Sequence, residues 1–292
     1  MSITLDTLHV EIDRLTLPGT EPREDEARRA VTLLLDALSR GDVRSAEPGQ
    51  SGWHAVPWVK SGILLAFRTG VTREYVPYGQ DPNQDFDGST IQFFDKDTLP
   101  LRDTHGVEEN VRIVPGGTSI RAGAYVGPGV ILMPPAFVNI GAYVDEGAMI
   151  DSHALVGSCA QVGKRVHLSA GAQLGGVLEP VGLRPVIVED DAMIGANTGV
   201  FEGTLVGRRA VLAPGVQLTR STAVYDLVRE TVYRATEDEP LSIPEGAVVV
   251  PGARPAGGSF ARDLGLTLYA PVIVKYRDER TDAATALEEA LR

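Results

Sequence analysis

Aliphatic side chains recur at every sixth position through the middle of the chain: Val114, Ile120, Val126, Leu132, Val138, Val144, Ile150, Val156, Val162, Leu168 and Leu174. Four residues after each stands a second small or apolar residue, from Thr118, Ala124 and Val130 through Ala154 and Ala160 to Ala172 and Leu178. The beat slips by eight residues and resumes at Val188, Ile194, Val200, Val206, Leu212, Leu218 and Val224. A helix repeats near 3.6 residues and a simple strand at 2, so neither sustains a period of six. A coil of short straight segments does, each hexapeptide forming one side of a triangular prism and three forming a turn. Both apolar positions then point inward. The Gly, Asp, Asn, Lys and Pro residues between them suit corners and a solvated face. With Ile243 and Val249 rejoining the beat, about twenty hexapeptides predict roughly six or seven coils of parallel strands about 4.8 Å apart.

Two stretches break the beat. Residues from about 180 to 187 are expected to leave the prism as a loop, and insertions in repeat arrays often carry function. The polar, acidic run 225–242 is expected to form a surface hairpin.

The flanks follow other patterns. Ile3, Leu8, Ile12 and Leu15 predict a short amphipathic helix closed by Leu17-Pro18-Gly19. Residues 22–40 predict a second helix, acidic in its first turn, with Ala30, Leu34 and Leu38 on its apolar face. Arg44 to Trp58 suggests a hairpin around Gly49–Gly52. Trp58 to Arg68 fits a helix or a buried strand, and periodicity does not choose between them. Residues 69–110, with Asp81, Asp85, Asp87, Asp95 and Asp97, are expected to be irregular with short strands. After the prism come a turn at Gly257-Gly258, a strand from Leu266 to Lys275 and a helix from Thr281 to Arg292, capped by Thr281-Asp282. The expected organisation is a mostly helical N-terminal domain (1–110), a β-helix (111–254) and a C-terminal extension (255–292). The fold class is mainly β.

Composition narrows the partners. The chain has 292 residues and a net charge of −12, which disfavours nucleic acid or an anionic membrane as a partner. Its single cysteine, Cys159, excludes an intrachain disulfide and a zinc-finger ligand set. A prism zinc site would need three converging histidines. His153 and His167 are fourteen residues apart, out of step with six or eighteen, and no third ligand accompanies them. The first residues lack a basic n-region and an apolar core, and no run of apolar residues is long enough for a membrane span, so a cytoplasmic protein is expected.

The off-beat positions carry chemistry. The run Val138-Asn-Ile-Gly-Ala-Tyr-Val-Asp-Glu-Gly-Ala-Met-Ile-Asp151 resembles the signature of the tetrahydrodipicolinate N-succinyltransferase family. So do Val156-Gly-Ser-Cys-Ala-Gln-Val-Gly-Lys164, Val166-His-Leu-Ser169, Gly175-Gly-Val-Leu-Glu-Pro180 and Val188-Glu-Asp-Asp191. Flanking matches are Trp58-Val-Lys60, Arg112-Ile-Val-Pro115, Val248-Val-Val-Pro-Gly252 and Val272-Ile-Val-Lys275. The resemblance implies a left-handed parallel β-helix, a homotrimer with active sites between prisms, and succinyl-CoA as co-substrate with no permanently bound cofactor and no metal. The implied reaction moves a succinyl group to the amino group of ring-opened tetrahydrodipicolinate, in the diaminopimelate route to lysine.

On that resemblance Asp151 is the acceptor-site residue, orienting or helping to deprotonate the amine, and Arg112 pairs with a substrate carboxylate. Glu202, in Val200-Phe-Glu-Gly203, matches a family glutamate and is a second catalytic candidate. Arg208, Arg220, Arg254 and Lys275 are candidates for the phosphates of coenzyme A. His153 and His167 rank lower, as histidines on the prism flank, and Cys159 as a packed residue. The chain departs from the family at Gly195-Ala-Asn-Thr-Gly199, where many members carry Arg and Glu in place of Asn197 and Gly199. A Gly-Ala-Asn stretch also occurs in the related N-acetyltransferases, so acetyl-CoA remains an alternative donor.

Overall fold

The computed structural model describes residues 4–50, 52–75, 93–278, 283, 287 and 288. Pairs of residues, each ending on the six-residue beat, form two-residue strands that stack into three walls of a prism. Wall 1 holds Arg112–Ile113, Ile131–Leu132, Met149–Ile150, His167–Leu168, Met193–Ile194, Val211–Leu212 and Ala247–Val250. Wall 2 runs from Ser119–Ile120 through Phe137–Val138, Leu155–Val156, Gln173–Leu174 and Gly199–Val200 to Gln217–Leu218. Wall 3 runs from Tyr125–Val126 through Tyr143–Val144, Gln161–Val162, Ile187–Val188 and Leu205–Val206 to Ser242–Ile243. Successive strands within each wall are parallel, so main-chain bonds such as Tyr143 N to Ala160 O (2.9 Å) tie one coil to the next. The result is a left-handed parallel β-helix of hexapeptide repeats, with helices on its N-terminal side.

The interior explains the period. From Ile120 to Leu218 every beat residue is buried, as are the alanines and valines four positions on, while Leu178 is not. Large and small side chains alternate inside, and each fully buried Val, Leu or Ile contributes about 1.5–3 kcal/mol. Residues one position before the beat point out, so each wall displays a column of side chains one strand apart.

Four expectations need correction. The beat does not start at Val114: Ile113 pairs with Leu132, so the first coil is one residue longer. Gly116 (φ 141°) and Gly117 (φ 91°) absorb the extra residue at a corner where a side chain would be strained. The inserted loop returns earlier than 187: Val186 is buried and accepts from Gln161 N, and Ile187 pairs with Gln161 in wall 3. Leu178 therefore leaves the prism and packs half-buried against the N-terminal helical cluster. The strand from Leu266 to Lys275 is two strands, Thr267–Tyr269 and Val272–Tyr276, broken at Ala270-Pro271, where proline supplies no N–H.

The N-terminal helices are α1 (Leu5–Thr16), α2 (Glu24–Arg40) and α3 (Pro57–Thr69), which resolves the 58–68 segment as helix. Their shared core includes Leu8, Ile12, Leu34, Ile63 and, from the prism, Ile140 and Cys159. The Ala46–Gly49/Gly52–Ala55 hairpin reaches wall 3. Trp53 Nε1 donates to Glu189 (2.9 Å), and the Arg44 guanidinium lies 3.6 Å from the Tyr143 ring centre while donating to Gln161. Beyond the last coil, Val224–Asp226 and Thr231–Tyr233 form the hairpin expected in the polar run. Strand Val272–Tyr276 joins both that hairpin and wall 1. Ala253–Pro255 pairs with Thr267–Tyr269 as a ribbon with helix α4 (Ser259–Asp263) at its tip. Ala283, Leu287 and Glu288 are helical, and Leu287 packs on Val211 and Val248. Thr281, Asp282, Ala284 and Leu291 lie outside the described residues, as do Asp81, Asp85 and Asp87.

Candidate active site

Asp151 follows the beat residue Ile150 and so sits on the corner between walls 1 and 2. Its Oδ1 accepts from the Ser152 amide at 2.7 Å, the local bond that lets a short acidic side chain hold a turn. Oδ2 faces His167 Nε2 at 3.9 Å, with both side chains partly exposed. The pairing comes from coil stacking: Met149 stands opposite His167 in wall 1, which brings the corner after Ile150 beside the imidazole. His167 Nε2 is buried without a hydrogen-bond partner.

Arg112 belongs to the same outward column of wall 1, in the register Arg112, Ile131, Met149, His167. It is exposed and lines a wide cleft at the base of the prism with Val107, Asn110 and Ile131. Arg112, Asp151 and His167 therefore share one side of the molecule. His153 lies two residues past Asp151 with φ 62° and is exposed on the corner.

Glu202 lies elsewhere, on the corner between walls 2 and 3, with its Oε2 accepting from Arg220 N at 2.7 Å. Within one chain the structure does not bring Glu202 to Asp151. The basic candidates are also spread. Arg208 is held by Glu245 at 2.7 Å. Arg220 donates to the carbonyls of Thr236 and Glu237. Arg254 is exposed on the ribbon, bonded at 3.5 Å to its neighbour Pro255. Lys275 stands opposite Val248 beside wall 1. Among the described residues no three His, Cys, Asp or Glu side chains converge as a metal site, and no helix is long and apolar enough to cross a membrane.

The departure at 197–199 has a physical basis. The Phe201 ring covers Gly175 and Gly199 in neighbouring coils: a β-carbon would stand 2.6 Å from the ring at 175 and 2.4 Å at 199. Gln217 closes the other side, its amide donating to Asn197 O at 2.9 Å and its backbone N to Tyr269 Oη at 2.7 Å. An outward side chain at 199 has no room in this packing.

Sequence reasoning missed two features. The Asp151–His167 approach was legible in principle, because the eighteen-residue spacing of a coil aligns Met149 with His167. Lys60 stands in the Trp58-Val-Lys60 match, but nothing in the sequence names its partner. It is fully buried, with Nζ donating to Leu183 O of the inserted loop at 2.6 Å, and burial lowers its pKa. The same loop sends Arg184 to Gly203 O at 3.1 Å, next to Glu202.

The prism by itself specifies no reaction; its class, a hexapeptide-repeat acyltransferase, comes from the sequences it matches. Residues 10–69 match the model of the tetrahydrodipicolinate N-succinyltransferase N-terminal region, and residues 185–220 that of the hexapeptide repeat of succinyl-transferase. A 2,3,4,5-tetrahydropyridine-2,6-dicarboxylate N-succinyltransferase from Nitrobacter hamburgensis is 42% identical over 94% of this chain and 92% of its own. Proteins of that name from Coxiella burnetii (41%, 94% and 92%) and Idiomarina loihiensis (38%, 92% and 90%) match similarly. The chain belongs to the tetrahydrodipicolinate N-succinyltransferase family.

Proposed function

We propose that the protein transfers the succinyl group of succinyl-CoA to the amino group of ring-opened tetrahydrodipicolinate, L-2-amino-6-oxopimelate, on the cytoplasmic route to diaminopimelate and lysine. The observation that carries this reading is near-full-length kinship with N-succinyltransferases, joined to a carboxylate on the prism edge where an amine can dock.

Asp151 accepts a hydrogen bond from the acceptor amine and orients it toward the thioester. Arg112, on the same side of the prism, pairs with a substrate carboxylate, the strong charge-assisted contact expected of a guanidinium. Glu202 serves from a neighbouring copy: it sits on a different corner from Asp151, so one site uses both only if prisms pack side by side, as a homotrimer. The phosphates of coenzyme A go to basic residues of the last coils, Arg254 first because its guanidinium is least engaged, with Arg208, Arg220 and Lys275 in support.

The test is thiol release from succinyl-CoA and from acetyl-CoA with 2-aminopimelate as acceptor, alongside light scattering for the oligomer. Turnover with succinyl-CoA at least about tenfold above that with acetyl-CoA is expected. Preference for acetyl-CoA moves the protein to the N-acetyl branch, and a monomer removes the role of Glu202.

A further inference from the structure

We propose that the Asn197 amide, with the Ser169 hydroxyl beside it, holds the free carboxylate of the succinyl group and so selects the acyl donor. The proposal deepens the functional reading above and rests on its placement of the acceptor amine at Asp151.

The corner between walls 1 and 2 is built in columns. Asp151, Ser169 and Gly195 stand one above another, each just after a beat residue, because Met149, His167 and Met193 are in register in wall 1. Two residues further along each coil, His153, Gly171 and Asn197 form a second column. It is tied by Gly171 N to Ser152 O (2.9 Å) and by Asn197 N to Ala170 O (3.0 Å). All three residues take the left-handed conformation, with φ 62°, 70° and 55°. Gly171 has no side chain, and the Asn197 amide folds down against it: a β-carbon at 171 would stand 2.4 Å from Asn197 Oδ1. The amide is thereby lowered to the level of Gly171, in the coil directly above Asp151.

Both polar groups are free to take a ligand. The hydrogen bonds of Asn197 and Ser169 run through their backbones, to Ala170, Gln217, Ile194 and Ala172. The side-chain amide and the hydroxyl have no partner among the described residues. Asn197 is exposed and Ser169 half-buried, so both can be reached from solvent.

The spacing fits a succinyl group. Successive coils are about 4.8 Å apart. The free carboxylate lies three bonds from the thioester carbonyl, about 3.8 Å when extended, as between successive Cα atoms. A carbonyl held at the Asp151 amine therefore puts the carboxylate one coil higher, beside Ser169 and the lowered amide. Asparagine offers it two N–H donors and serine one O–H, and such bonds to a carboxylate are the stronger, charge-assisted kind. An acetyl group ends too early to touch either. The rest of the corner is divided the same way. Arg112 lies two coils below Asp151 and draws the acceptor carboxylate downward. Arg208 and Arg220 belong to the last coils, so the donor arrives from above. Asn197 is also one of the two positions at which the chain departs from the family pattern, so this selection is its own.

Asn197→Gly removes the amide, and Asn197→Asp puts a carboxylate in its place. Glycine and aspartate both accept the left-handed backbone of position 197, so both variants should melt with wild type. Thiol release with 2-aminopimelate gives kcat/KM for succinyl-CoA and for acetyl-CoA. The ratio of the two should fall about thirtyfold in Asn197→Gly and at least about a hundredfold in Asn197→Asp, where like charges meet. Ser169→Ala should lower it about fivefold. A wild type that releases no thiol from succinyl-CoA, or prefers acetyl-CoA, overturns the functional reading and this proposal with it. A succinyl-preferring wild type whose ratio stays within about threefold in both Asn197 variants overturns this proposal alone. An equal loss with both donors and a raised KM for 2-aminopimelate also overturns it, and assigns the amide to the acceptor.

Discussion

The ring of Phe201 lies against Gly199: a β-carbon there would stand 2.4 Å from Phe201 Cε2 and 2.2 Å from Gln217 Oε1. Gln217 is held by Asn197 and Tyr269, and the Phe201 ring also lies over Gly175. Gly199→Ala should destabilise the protein by about 1–3 kcal/mol through overpacking. Adding Phe201→Ala should recover part of that loss. Urea unfolding of the three variants measures both, and additive losses would show that the ring does not set the constraint.

Asp151→Asn keeps the shape of the corner and removes the carboxylate charge. We expect turnover to fall at least about a hundredfold with unchanged melting and oligomeric state. Steady-state kinetics and light scattering on the same preparation check this. Activity near wild type would displace Asp151 from the acceptor site.

Asp97 ties the hairpin of Thr72–Tyr75 and Phe93–Lys96 to α2. It accepts from Val71 N, Arg28 and Arg73, and these bonds, the backbone one first, hold its carboxyl at about 2. A folded value below the unfolded one of 3.8 means stabilisation that is complete above pH ~4 and disappears as pH falls toward 2. Asp97→Asn should flatten that part of the stability profile and leave the slope above pH 5 alone. Thermal melts across pH 2–6 provide the comparison.

Burial pushes the Cys159 thiol up to about 11, so at neutral pH almost none is thiolate. In native protein the thiol should resist an alkylating reagent at pH 7.5 and react at the ordinary rate once urea unfolds the chain. Rapid native labelling would place this residue outside the core it shares with Ile63 and Ile140.

Lys60 joins the helices to the inserted loop through one short bond to Leu183 O. Lys60→Ala leaves a cavity and an unpaired, partly buried carbonyl, for which we expect a loss of about 2–4 kcal/mol. Hydrogen exchange should rise in residues 178–185 more than in the prism strands, and uniform exchange would argue against a local tether.

The sequence alone determined the prism, because a triangular interior demands an inward aliphatic residue every six positions and small residues near the corners, from Ile120 to Val224. Asp151 was marked by the resemblance of the run Val138 to Asp151 to the family signature, since an aspartate at a corner is by itself an ordinary turn residue of the repeat. Tertiary structure decided what those residues meet. His167 reaches Asp151 through the stacking of one coil on another. Phe201 closes over Gly199 because aromatic packing across coils is not local. Glu202 sits on another corner because each beat residue turns the chain to a new wall. The end of the inserted loop was misplaced for the same reason: Val186 is drawn back into the prism by its bond to Gln161 in the coil below, a contact that no run of neighbouring residues announces.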